Sequence, residues 1–233
     1  MGWYARFYGR PGPGVRKDEP PKTGIRLLLA ILGREWRTLI LLNLLFCAAS
    51  LPVVTIPAAL CTMQHVTIKM VQDEPVLLWP DFRAAFAAAF RRGTLWGWGY
   101  LILALASVFC VYFYGRMVAY SALFLLPFSV AAVLLVLLLL TGVYYFPLLI
   151  RSDMRGRSLI KNALLMATAY APHAFAAVLA AGTLAVVCDL FFLLAWPFVL
   201  LILFSLQALL CSLAAWPDIC RQSERETRPQ AGI

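Results

Sequence analysis

Apolar residues run through this chain in five uncharged stretches, at residues 38–68, 93–115, 117–150, 162–188 and 190–217, and the charges are confined to the segments between them. A surface helix of a soluble domain would show an apolar stripe with a 3.6-residue period. These runs are apolar on all sides, as in helices bounded by lipid or by other helices. About 20 apolar residues carry a helix across a roughly 30 Å hydrocarbon core, and every run reaches that length. The pattern predicts an all-α fold, a polytopic transmembrane helical bundle.

The first run is interrupted at Pro52-Val53-Val54-Thr55-Ile56-Pro57. Pro52 lacks a backbone donor and disfavours helix at Leu51, while Pro57 suits the first turn of a new helix. One bent span, or two short helices joined by a turn at Val53–Ile56, would satisfy this. As two helices, Glu35–Leu51 and Pro57–Gln72 measure about 26 and 24 Å at 1.5 Å per residue. Both are short of the hydrocarbon thickness and imply thinning or a re-entrant hairpin. The remaining runs predict spans at 94–114, 119–149, 162–188 and 191–216. The total is about six membrane-inserted helices including the short N-terminal hairpin. Residues 1–23, with Arg10-Pro11-Gly12-Pro13-Gly14, read as a flexible basic arm, and Gly24–Arg37 as a helix in the headgroup region. A single transmembrane domain covers 24–217, and 218–233 form a polar tail.

Composition sharpens the class. Of 233 residues, 63% are hydrophobic and 13% charged, and mean hydropathy is +0.83. Soluble domains carry about 25% charged residues, so a soluble enzyme or a disulfide-framed secreted domain is excluded. The net charge of +9 would suggest nucleic acid in a soluble chain. Here the basic residues flank apolar runs, where they set orientation in the bilayer, and no nucleic-acid partner is expected. A single bent span would divide the 20 Lys and Arg residues almost evenly between the two sides. The hairpin leaves Arg116 alone on one side and the other nineteen opposite, which places both termini in the cytoplasm.

The segment 73–92 reads as the largest cytoplasmic loop. Trp79-Pro80-Asp81 looks like a helix start with Asp81 as its cap. Phe82, Phe86 and Phe90 then recur every four residues, with Arg83, Arg91 and Arg92 off that face. This predicts an amphipathic helix with its Phe side in the lipid boundary; a partner-docking helix shows the same pattern. Gly93 and Gly97, and Ala176, Ala177, Ala180 and Ala181, form small-residue faces for close helix packing within the chain or in a dimer. Trp96, Trp98, Trp196 and Trp216 stand where an interfacial belt would lie, and Pro127, Pro172 and Pro197 would kink their helices.

Chemistry is sparse. Cys47, Cys61, Cys110, Cys188, Cys211 and Cys220 are scattered without a C-x-x-C pair, and no disulfide frame is indicated. Cys61 and His65 lie four apart on one helical face, a possible metal pair lacking further ligands. His173 follows Pro172 and fits a structural role. Asp189 is the one acid bounded on both sides by long apolar runs. At mid-bilayer it would cost roughly 2.5–3.5 kcal/mol and mark an ion or proton site; the topology sets it at an outer turn. Asn43, Gln64, Thr141, Thr183 and Gln207 could line a path or bond between helices. With no H-E-x-x-H, G-x-S-x-G or P-loop pattern, neither catalytic residues nor a metal or other cofactor are expected.

The string Leu42-Asn43-Leu44-Leu45 followed by Leu51-Pro52-Val53-Val54-Thr55-Ile56-Pro57 resembles the YesL-like family, the bacterial domain of unknown function 624. Val66–Val71 with Trp79–Phe82 is similar to that family's loop after the hairpin. Tyr144–Ile150 with Ile160–Leu165 is similar to its later segment. Phe7-Tyr8-Gly9-Arg10-Pro11-Gly12-Pro13-Gly14 is similar to a gut-type subgroup. One departure is Pro57, where many members carry Gly. The resemblance implies a multi-pass protein of the plasma membrane of Gram-positive-type bacteria, with the lipid bilayer and ABC permease subunits for oligosaccharides as partners. It brings no catalytic residues. An accessory or assembly role in carbohydrate uptake is the expectation, with an independent small-solute transporter or channel as the alternative. The residues singled out are Asn43, Pro52, Thr55, Pro57, Phe82, Phe86, Phe90, Asn162 and Asp189.

Overall fold

The computed structural model describes residues 24–151, 156–190 and 199–227. The basic arm, Trp196, Pro197 and the last six residues of the tail lie outside the described residues. Among the described residues seven α-helices follow in order: α1 (Ile25–Ala49), α2 (Ile56–Val71), α3 (Leu78–Met117), α4 (Leu125–Arg151), α5 (Arg157–Ala169), α6 (Ala171–Leu190) and α7 (Phe204–Thr227). Short 3₁₀ turns at Val53–Thr55 and Ala122–Phe124 link α1 to α2 and α3 to α4, and a π turn at Val199–Leu203 leads into α7. Among the described residues, four segments are long and apolar enough to cross a membrane: Leu78–Met117, Ala122–Arg151, Ala171–Leu190 and Leu201–Gln222. The helices of the hairpin are not among these four.

The hairpin forms at the place the two prolines predict. Pro52 is extended (φ −77°, ψ 106°) and precedes the 3₁₀ turn, and Pro57 lies in the first turn of α2. Thr55 fastens the corner, its Oγ1 2.5 Å from the carbonyl oxygens of both Ala49 and Pro52. The boundary expected between a headgroup helix and an inserted helix is a kink: Glu35 (φ −114°, ψ 17°) leaves helical geometry within α1. Arg34 bridges Glu35 and Asp73, while the hydroxyl of Thr38 donates to Glu35 at 2.8 Å.

Although short, α2 is the helix at the centre. Eleven of its 16 residues are buried. It stands between two apolar clusters. One gathers Ile31, Leu39, Leu42 and Phe46 of α1 with Met63, Val66 and Met70 and with Leu209 of α7. The other joins Cys61 to Tyr144 and Tyr145 of α4, Leu159 and Met166 of α5, Ala174 of α6 and Ala215 of α7.

Three expectations are corrected. The amphipathic segment 78–92 and the span 94–114 are one helix, the 40-residue α3. At 1.5 Å per residue it is about 60 Å long, twice the hydrocarbon thickness. No proline interrupts it beyond its first turn, and Gly93 and Gly97 press against α2 instead of breaking it: a Cβ at Gly97 would stand 2.4 Å from that of Pro57, and one at Gly93 3.4 Å from Cα of Ala58. The run 162–188 is two helices, divided at Tyr170 (φ −115°, ψ 36°), because Pro172 cannot donate to a preceding turn. The tail does not begin at 218, since α7 continues past Pro217 to Thr227.

Candidate functional site

Polar side chains gather at the end of the bundle where α2, α4 and α7 finish. Lys69 pairs with Asp81 at 3.1 Å, Arg151 donates to Gln72 at 2.9 Å, and the Arg151 guanidinium lies 4.3 Å from the Trp216 ring centre. Asp218 is the deepest of these groups, with no exposed surface. Its Oδ2 accepts from the Tyr144 hydroxyl at 2.8 Å. His173 Nδ1 lies 3.2 Å from both carboxylate oxygens, and Arg221, one turn further along α7, reaches within 4.0 Å of Oδ1. The ion-pair distances to Oδ1 do not amount to an aligned hydrogen bond: that oxygen is buried without one among the described residues. Burying a carboxylate is costly unless it is paired. Tyr144 and His173 offset that cost and thereby join α4, α6 and α7 at one point. The His173 side chain is half exposed, while the acid stays buried.

A second group lies along the α2–α7 seam. Ser212 donates to Gln64 Oε1 at 2.8 Å, and Thr67 Oγ1 stands 2.7 Å from Ser212 Oγ. Higher up, the Asn43 carbonyl of α1 accepts from the backbone N–H of Ser205 at 3.0 Å, where the π turn passes into α7. Changing from π to α spacing leaves backbone groups without helical partners, and Asn43 supplies one. The Gln207 amide donates to the Ala181 carbonyl at 3.3 Å. Hydrogen bonds of this kind between helices contribute about 0.6 kcal/mol each in membrane proteins.

The residues singled out from sequence do not converge. Asn43 is buried against α7; Pro52, Thr55 and Pro57 form the hairpin corner. The Phe face of α3 is placed differently from its expected lipid-boundary position. Phe82 is 7% exposed and packs with Phe86 on the α1–α2 cluster, whereas Phe90 is 44% exposed. The Phe82 and Phe86 rings stack at 6.1 Å, and those of Phe86 and Phe90 meet at a tilt at 5.8 Å. The helix starts where Trp79-Pro80-Asp81 predicts, but Leu77 holds the cap position and the Asp81 carboxylate accepts from its N–H at 3.0 Å. Asn162 is half-buried on α5, and Asp189 is exposed in the last described turn of α6. Trp98 donates to the Val54 carbonyl of the hairpin turn at 2.9 Å. Among the described residues, no three His, Cys, Asp or Glu side chains could hold a metal ion, so Cys61 and His65 gain no further ligand.

Asp218 escaped the sequence reading because the charges after Pro217 resemble a tail. A signal was present. Ser205, Ala208, Ser212, Ala215 and Asp218 recur at three- and four-residue steps and are all buried, so the small and polar face of α7 runs straight through Pro217. The tripeptide Trp216-Pro217-Asp218 also repeats Trp79-Pro80-Asp81, and in both places the acid takes a basic partner.

Fold and site together define a helical membrane protein whose buried polar groups bond helix to helix. Residues 39–113, about a third of the chain, match the family model described as protein of unknown function, DUF624. The match covers the second half of α1, the hairpin turn, α2 and nearly all of α3. The stretches at 7–14, 144–150 and 160–165 lie beyond it. No curated protein and no solved structure matches the chain.

Proposed function

We propose that this protein is an accessory or assembly partner of a carbohydrate ABC uptake system in a bacterial plasma membrane, acting by binding other membrane helices and performing no chemistry of its own. Four helices cross, and the α1–α2 hairpin enters and returns on one side, making about six inserted helices with both termini cytoplasmic. The YesL-like resemblance supports the sugar-uptake context.

One observation carries the partner reading. The second half of α3 and the first half of α4 pack on each other, through Tyr100 donating to the Leu138 carbonyl at 2.5 Å and Gly115 beside Phe128. Elsewhere on this pair, apolar side chains face outward: Leu105 is 71% exposed, Leu126 72% and Val133 60%. An apolar arm of this length, held by few contacts in its own chain, suits lipid and neighbouring helices. Gln64, Thr67 and Ser212 of the α2–α7 seam are meanwhile bonded in series, which favours a binding bundle over a conducting one.

The test is purification from native membranes in mild detergent with identification of co-purifying subunits. In parallel, the lone protein is reconstituted in liposomes and assayed for oligosaccharide and ion flux. Stoichiometric recovery of permease subunits supports the proposal. Flux by the lone protein, abolished by Asp218→Ala or His173→Ala, would replace it with an independent transporter.

A further inference from the structure

Between α2, α4, α6 and α7 the bundle leaves a cavity of about 370 Å³, within the roughly 300–1,000 Å³ range of small-molecule pockets. Its wall is almost entirely carbon, and no charged side chain lines it. Of its lining residues, Leu139 of α4 and Gly182 and Ala185 of α6 are exposed, which puts its open side between these two helices. Both helices are candidate spans, so the opening faces lipid. A Cβ at Gly182 would meet nothing within 4 Å, which leaves the mouth unobstructed.

Two carboxamides break the apolar wall, Gln64 from α2 and Gln207 from α7. Gln64 is only 8% exposed. Its carbonyl accepts from Ser212, and among the described residues its NH₂ group donates to no acceptor. Gln207 is complementary: its NH₂ group reaches Ala181, and among the described residues its carbonyl accepts from no donor. The carboxamide orientations follow from these bonds. The cavity therefore offers one donor and one acceptor inside a hydrocarbon wall.

We infer that this cavity binds a neutral lipid alcohol, a single hydrocarbon chain ending in a hydroxyl, taken in sideways from the bilayer. A hydroxyl is donor and acceptor at once, which matches the donor of Gln64 and the acceptor of Gln207. A carboxylate or phosphate would be buried without a counter-charge, and a sugar would leave several hydroxyls unpaired; both are disfavoured. An alkane would fill the cavity but leave both carboxamides as they are. The inference does not depend on the accessory role.

The experiment uses the full-length protein in nanodiscs and a dodecan-1-ol probe carrying a photoreactive diazirine in its chain, with attachment sites mapped by mass spectrometry. Attachment is expected on the cavity-facing turns of α4, α6 and α7. Unlabelled dodecan-1-ol should compete about 2- to 10-fold better than dodecane, the worth of one neutral hydrogen bond, and dodecanoate should compete more weakly than either. Gly182→Leu should abolish attachment by filling the mouth. Gln207→Leu, which keeps the cavity's shape, should retain attachment and lose the preference for alcohol over alkane; this arm decides the matter should Gly182→Leu fail to fold. Equal competition by dodecane in the wild type, attachment elsewhere, or an alcohol preference unchanged in Gln207→Leu would overturn the inference.

Discussion

Replacing Gly97 by Ala adds one methyl group at the tightest contact between α2 and α3. A Cβ there would lie 2.4 Å from the Cβ of Pro57, with the Cα and Cγ of Pro57 each at 3.5 Å behind it. Carbon atoms in favourable contact sit about 3.5–4.0 Å apart, so either α2 or α3 must move by roughly an ångström. Pro57 cannot yield by rotating, since its ring is part of the backbone and lies within the first turn of α2. Overpacking of this kind costs about 1–3 kcal/mol, against up to about 1 kcal/mol gained from helix propensity on replacing Gly. Gly99, two residues on, is the control: a Cβ there meets nothing within 4 Å, and Gly99→Ala should keep the propensity gain alone. The two variants should then differ by about 1–3 kcal/mol. At about 2–4 °C per kcal/mol for a chain of this size, that is a melting difference of roughly 2–12 °C. A thiol-reactive dye in detergent provides the assay, because Cys61 and Cys188 are buried in the fold and become reactive on unfolding. Equal melting temperatures for Gly97→Ala and Gly99→Ala would refute the claim that α2 docks on α3 through this glycine.

Gly142→Ala should destabilise by driving a methyl group into the Tyr100 hydroxyl, 2.4 Å from the added Cβ, and Tyr100→Phe should restore part of the loss; additive effects of the two changes in the same melt would exclude the contact. Phe82→Ala should cost about 3–5 kcal/mol, as a buried aromatic does, and the 44%-exposed Phe90 far less in Phe90→Ala; similar melts would show that both rings face lipid. Asp218→Asn keeps an acceptor for Tyr144 and should cost less than Asp218→Leu, which leaves the hydroxyl unpaired for roughly 1–3 kcal/mol; the order of the two melting temperatures decides. With the native cysteines replaced, Asp73→Cys should resist an impermeant thiol reagent in intact cells while Arg116→Cys reacts, and the reverse pattern would overturn the orientation read from the basic residues.

Legibility followed the physics that is local in sequence. Two prolines five residues apart sufficed to place the hairpin corner, since proline acts through its own backbone and the residue before it. The kink at Glu35 fell where the charges of the first helix give way to the first uncharged run. Apolar runs, by contrast, mark membrane helices without stating where one ends. The break at Tyr170 lies inside an uncharged run, and the junction between Arg92 and Gly93 looked like a loop's edge yet lies inside α3. The phenylalanine period of α3 was read correctly, but its partner was not: a stripe of Phe fits lipid and a neighbouring helix equally, and the choice depends on α1 and α2 packing beside it. Asp218 was missed for a related reason, because charge was taken as a sign of solvent. Its partners Tyr144 and His173 are 74 and 45 residues away, and nothing in the local pattern announces them.

The matched stretch 39–113 contains several of the close approaches between helices. It holds the corner fastened by Thr55, the Pro57–Gly97 and Ala58–Gly93 approaches, and the bond from Trp98 to the hairpin turn. The Lys69–Asp81 pair lies inside it as well, at the far end of α2. The ionisable cluster of Tyr144, His173 and Asp218 lies wholly outside it. What the family model detects in this chain is therefore a helix-packing unit: a short helix of small and weakly polar residues, nearly all of it buried, clamped between a kinked helix and a 60 Å one. Such a unit needs small residues at the crossings and a rigid corner, and it needs no acid, base or nucleophile. A constraint of that kind is one of close helix packing within the chain.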